Sequence, residues 1–125
     1  MKFLTLCFAG VAMLASLSVR ADETTLRPFQ VVRMSYASTN VTTSAWTQLV
    51  ANMSGLARTI SVFDSSGQTM VLGTGAVGSE VAQTWYIFPG GLQLIPITIP
   101  ANSRLVVKAI SSTASSGEID INFYQ

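Results

Sequence analysis

The last strand-like stretch of the chain alternates. Ile119, Ile121 and Phe123 are apolar, while Glu118, Asp120, Asn122 and Tyr124 carry polar groups. A period of two marks a β-strand with one face on a core and the other turned outward. Ile60 and Val62 alternate in the same way with Thr59 and Ser61. Runs of Val, Ile, Phe, Tyr and Thr are separated by clusters of Gly, Ser, Asn and Pro, and no segment repeats apolar residues at helical spacing over three turns. The pattern predicts seven or eight strands, at 29–36, 46–51, 58–63, 69–72, 82–88, 92–99, 103–110 and 118–124, with 69–72 the marginal one. Turn signals every eight to twelve residues make this an all-β chain. The expected fold is a single β-sandwich of mostly antiparallel strands, jelly-roll or Ig-like.

One stretch tests the pattern. Residues 89–105 read PGGLQLIPITIPANSRL, almost without charge. Eight residues, 92–99, are too few to cross a bilayer as a helix. Pro96 has no N–H, which places it at a sheet edge or a bulge. Leu92 and Leu94 share one parity and Ile95, Ile97 and Ile99 the other. A bulge near Pro96 is expected to turn both sets inward; a hydrophobic subunit interface is the alternative.

The first 21 residues read as a cleaved export leader. Lys2 gives the positive end, an apolar run follows, and Val19 and Ala21 stand at the −3 and −1 positions of a small-residue cleavage site. Cys7 lacks the small residue before it that lipid attachment requires. The domain is then 22–125, secreted or periplasmic, with no membrane span after processing. It holds no cysteine, so packing and backbone hydrogen bonds must stabilise it without disulfides. Five basic and six acidic side chains remain, net −1. Nothing in that balance suits nucleic acid. Charged residues are 10% of the chain, against about a quarter in an ordinary globular domain. Low charge points to surfaces covered by other protein.

The catalytic inventory is short. No histidine occurs anywhere, which removes Ser-His-Asp and Cys-His machinery and the usual zinc sites. Gly73, Gly75 and Gly78 match the spacing of a dinucleotide-binding loop without its strand–helix context; a loop needing positive φ is expected instead. Glu118 and Asp120 share a strand face at roughly 7 Å between Cα atoms. Their neighbours Asn122 and Tyr124 mark that face as solvated, where a carboxylate is a poor general acid. Asp64 with Glu118 or Asp120 lacks the dense acidic loop that calcium needs. No enzyme, cofactor or metal is expected. Asn40-Val41-Thr42 and Asn52-Met53-Ser54 match the N-glycosylation sequon, as Ser/Thr-rich loops often do by chance. Trp85 and Phe88 are expected in the core. The candidate contact residues for a partner or a surface glycan are Trp46, Tyr86, Tyr124, Glu118, Asp120 and Asn122.

Residues 40–125 carry a series of motifs: TSAWTQLV, RTISVFDSSG, GTGAVGSE, the hairpin Ile99-Pro100-Ala101-Asn102-Ser103-Arg104-Leu105 and the closing strand Ser116-Gly117-Glu118-Ile119-Asp120-Ile121. In that order they resemble small β-sandwich modules of phage and phage-like virion proteins, of the decoration and fibre-tip type. The export leader departs from such proteins. The resemblance implies a non-enzymatic structural or adhesion module that self-associates, as a trimer on the analogy of phage fibres. A carbohydrate-binding, lectin-like sandwich is the second expectation, with exposed Trp or Tyr beside Asn, Gln or Asp.

Overall fold

The computed structural model describes residues 27–125. The leader read at 1–21 lies outside them. Eight strands follow one another: β1 (Pro28–Ser35), β2 (Thr47–Val50), β3 (Ala57–Asp64), β4 (Met70–Thr74), β5 (Val81–Ile87), β6 (Leu92–Ile99), β7 (Leu105–Ala109) and β8 (Glu118–Tyr124). They form two four-stranded sheets, ordered β1-β8-β3-β6 and β2-β7-β4-β5, with every pairing antiparallel. Strand 1 pairs with 8, 2 with 7, 3 with 6 and 4 with 5. This is one long antiparallel ribbon rolled up, the eight-stranded jelly roll. The Ig-like alternative is thereby excluded. Among the described residues no helix is long and apolar enough to cross a membrane.

The core follows from period two. Inner rows cross the first sheet in register: Val32–Ile121–Val62 is one, and Phe123–Ile60–Ile95 is the next. Met70, Leu72, Ile87, Leu105 and Val107 face them from the second sheet, and all five are wholly buried. Each such side chain contributes about 1.5–3 kcal/mol on burial. The sandwich ends are closed by loops. Tyr36, Val41 and Ala114 cap one end, where Val41 and Ala114 form an isolated bridge. Met53 caps the other, its N–H donating to the Ser103 carbonyl and its own carbonyl accepting from Asn102 N–H.

The central strands β8, β3, β7 and β4 pair without interruption. The four edge strands do not. An extra residue stands at Phe29 in β1 and at Leu49 in β2, one lies in β6 between Pro96 and Ile99, and β5 spans four residues where β4 spans two. Pro28 and Pro96 also remove N–H donors from edge strands. A bulge on every edge, with a proline on β1 and β6, disfavours edge-to-edge pairing with another chain.

The bulge expected near Pro96 is present, but its expected consequence is not. Leu92 and Leu94 face outward, 71% and 65% exposed, while Ile97 and Ile99 are buried. Alternation runs unbroken through Pro96, so one parity of β6 stays outside. Phe88, expected in the core, is 55% exposed just after β5. Trp85, of the opposite parity, packs against the core as expected.

Two polar groups are buried at the capped end. Asp64 accepts from the Ser66 N–H at 3.1 Å and from the Ser66 hydroxyl at 2.9 Å. Burial first, then the neighbouring Asp64 carboxylate, push the Tyr36 hydroxyl far above its ordinary range, so it stays protonated. Gly117 turns beside them at φ 85°, and a Cβ there would stand 2.5 Å from the Ser65 carbonyl oxygen. Gly117→Ala is therefore expected to cost about 1–3 kcal/mol. Thermal unfolding followed by circular dichroism should show a midpoint several degrees lower; an unchanged midpoint would contradict this account of the turn.

Candidate functional site

The six contact candidates divide between two opposite surfaces. Glu118, Asp120, Asn122 and Tyr124 occupy the outer face of the first sheet, as alternation predicts. Asp120 pairs with Arg33 at 3.1 Å, and the Tyr124 hydroxyl lies 3.4 Å from that of Ser61. Registered rows run Arg33–Asp120–Phe63–Leu92 and Val31–Asn122–Ser61–Leu94. The face is polar over β8, mixed over β1, where Val31 is exposed beside Arg33, and apolar over β6. Glu118 is exposed; Asp120, Asn122 and Tyr124 are half-buried. The face is thus less solvated than the sequence suggests.

Trp46 and Tyr86 belong to the outer face of the second sheet. Trp46 lies flat on the sheet because Gly73 leaves room for it: a Cβ at Gly73 would stand 2.8 Å from the indole. Lys108 Nζ sits 4.2 Å from the centroid of the indole ring, a cation–π contact. Val106 and Val71 are buried yet belong to the outer parity, so this face carries a small apolar layer outside the main core. Trp46 is therefore half-buried and engaged rather than free. Tyr86 is free: it is 43% exposed, with its ring centroid 6.4 Å from that of Phe88.

Around the β5–β6 turn the structure forms a corner with apolar side chains exposed on both outer faces; Leu92, Leu94 and Phe88 were expected in the core and Tyr86 at the surface. Tyr86 on the outer face of the second sheet, Phe88 just after β5, and Phe63, Leu92 and Leu94 on the outer face of the first sheet flank the β5–β6 turn. Leu92 stands opposite Phe63 in register. The Phe88 N–H donates to Gln93 Oε1 at 2.8 Å, which fixes the turn between the two sheets. Gly90 and Gly91 supply the positive φ values of 85° and 48° that it needs. Single exposed apolar side chains are ordinary, but Leu92, Leu94 and Phe63 are registered neighbours on one face, and such a group marks a candidate interaction surface.

A second feature escaped the sequence reading. At the opposite end of β5, a cleft of about 500 Å³ opens among Gln48, Ala51, Ala76, Val77, Asn102 and Arg104. Its walls come from the end of β2, the β4–β5 loop and the β6–β7 turn. No short motif could have revealed it, because its residues converge from three separate parts of the chain. The expected positive-φ glycine loop is one of those walls: Gly75 and Gly78 have φ 147° and 87°, whereas Gly73 belongs to β4. Arg104 is tied to Glu80 by a largely buried ion pair, the side chains 16% and 7% exposed. The Glu80 carboxylate is held below its usual range by its own backbone N–H, by the Gly78 N–H and by the Arg104 guanidinium, against the opposing effect of desolvation. Among the described residues no three His, Cys, Asp or Glu side chains group as metal ligands.

Two sheets of four antiparallel strands in this order define a jelly-roll sandwich. No protein-family model matches the chain, and no curated protein matches it in sequence. Among solved structures it is similar to the Eiger TNF from S. frugiperda, with TM-score 0.43 and 13% identity over 78% of this chain and 93% of that one. It is also similar to Drosophila melanogaster CENP-C bound to CAL1, with TM-score 0.35 and 11% identity over 80% of this chain and 81% of the other. The jelly-roll assignment rests on the strand pairings themselves.

Two outcomes follow for these surfaces. Gly73→Ala should lift Trp46 from the sheet, shift tryptophan emission to the red and cost about 1–2 kcal/mol by overpacking; unchanged emission would mean the indole is not seated there. Glu80 favours the folded state above its unfolded pKa of about 4.3, and that contribution is lost as pH falls through its lower folded value. The Gly78 amide resonance should therefore titrate with a midpoint below that of a free glutamate and stop titrating in Glu80→Gln. A midpoint at or above the free value contradicts the pairing.

Proposed function

We propose that this chain is an exported, non-enzymatic assembly and binding module that works as a homo-oligomer. The observation that carries the reading is the apolar corner at the β5–β6 turn. Leu92 and Leu94 point outward, where alternation calls for solvent, Phe63 stands beside Leu92 on the same face, and Tyr86 and Phe88 are exposed across the turn. Bulges blunt all four sheet edges and prolines two of them, so association through faces and corners is favoured over strand addition. The low charge of the chain lowers the cost of covering its surface with protein. The motif order shared with phage fibre-tip and decoration modules supports the same reading, with a trimer as the expected order. The leader-like first 21 residues support export to the periplasm or beyond the cell.

Light scattering of the purified protein across a concentration series tests this directly. A discrete oligomer is expected. Leu92→Ser with Leu94→Ser should weaken it roughly a hundredfold, at about 1–2 kcal/mol per leucine, and leave the fold intact because both side chains are outside the core. A monodisperse monomer at high concentration would overturn the proposal, as would an oligomer indifferent to the double substitution.

A further inference from the structure

The cleft at the far end of β5 is independent of the corner. Its chemistry differs as well, since it joins side-chain amides with small apolar groups. We infer that it is a binding site for a neutral saccharide, a hexose or N-acetylhexosamine unit.

Charge excludes the obvious alternative. Arg104 would attract an anion, but its charge is already matched by the Glu80 carboxylate in a largely buried pair. An anionic ligand would have to displace that carboxylate. The pair leaves the cleft without net charge, which favours a neutral occupant, and leaves the buried Arg104 Nε–H without a partner. Two side-chain amides, Gln48 and Asn102, line it, and no hydrogen bond among the described residues engages either. A primary amide offers a carbonyl acceptor and two N–H donors in one plane. Sugar hydroxyls, which both donate and accept, fit that pattern. Ala51, Ala76 and Val77 supply the apolar complement for the C–H face of a pyranose, and Val77 stands at the rim, 79% exposed. The volume lies in the range of small-molecule sites and accommodates one or two rings.

The site is also held in shape. The β6–β7 turn is bound to the loop after β2 by two reciprocal backbone hydrogen bonds, Asn102 N–H to Met53 carbonyl at 2.9 Å and Met53 N–H to Ser103 carbonyl at 3.1 Å. Asn102 itself adopts φ 65°, a left-handed conformation that Asn tolerates better than most residues. The Arg104–Glu80 pair ties the β4–β5 loop to the start of β7. Little backbone ordering entropy remains to be lost on binding, which favours recognition by few contacts.

Asn102→Gly keeps the left-handed turn and removes only the amide. Gln48→Ala alters an exposed side chain on β2. The test is an NMR titration of the purified protein with galactose, mannose, N-acetylglucosamine and their neutral trisaccharides. Saturable shifts are expected at Gln48, Gly75, Ala76, Val77, Asn102 and Arg104, with affinity about tenfold weaker in each variant and unchanged in Thr113→Ala, an exposed side chain of the β7–β8 loop. The inference fails if none of the sugars gives saturable shifts, if the shifts centre on Tyr86 and Phe88, or if Asn102→Gly and Gln48→Ala bind as the parent does. A monomer that binds sugar through the cleft would overturn only the assembly reading; an oligomer that binds none would overturn only this one.

Discussion

The rest of the molecule depends on β8 being held between β1 and β3. Ile119, Ile121 and Phe123 are wholly buried, and their strand is the one to which both neighbours in the first sheet must register. A slip of one residue would send all three outward and bring Asp120 and Asn122 into the core. The same constraint sets β7 between β2 and β4 in the second sheet, where Leu105 and Val107 are buried. Both strands lie in the C-terminal half and pair with partners far back in the chain. The pairing is therefore highly non-local, a topology that closes long loops before it gains contact energy and folds slowly. No disulfide among residues 22–125 shortens that search.

Because the central strands must keep register, irregularity is pushed to the edges. All of the register shifts fall on β1, β2, β5 or β6. That segregation explains why an apolar β6 can be exposed without inviting fibrous pairing. Its face is open, but its edge carries Pro96 and a bulge. The second sheet treats its outside differently. There Trp46 comes down from the β1–β2 loop over Gly73, and Lys108 covers the indole. One outer face is partly covered by the chain itself over β4 and β7, and the other is left open at β6.

Much of the fold was legible because period two is a strong signal. The bounds of β6 and β8 match the sequence expectation residue for residue, and the other strands differ by one or two positions. The sheet order was not legible, since antiparallel strands with similar faces permit several pairings. The error at β6 is instructive. Apolar character suggested that Leu92 and Leu94 were inside, whereas periodicity, followed strictly, put them outside with Pro96 and Thr98. Phe88 was misplaced for the same reason: it shares the parity of the exposed Tyr86, not of Trp85. Of the six contact candidates, only Tyr86 belongs to the apolar corner. The cleft was invisible because Gln48, Asn102 and Arg104 look like ordinary strand-end and turn residues until the roll brings them together.

The two surfaces occupy opposite ends of β5, separated by its seven residues, about 20 Å. That separation has a mechanical consequence. Association through the β5–β6 turn would leave the three cleft-forming segments uncovered in every copy. A shallow neutral site with few hydrogen bonds has weak affinity on its own. Displayed several times on a closed oligomer, it gains avidity without any new contact, provided the copies face the same surface. Cyclic symmetry about an axis at the corner would meet that condition, since it keeps equivalent ends of all subunits pointing the same way. Two-fold pairing about an axis across the strands would not, because it turns the two clefts to opposite sides. On the proposed assembly, the position of the apolar corner at one end of the sandwich would link oligomer symmetry to binding strength.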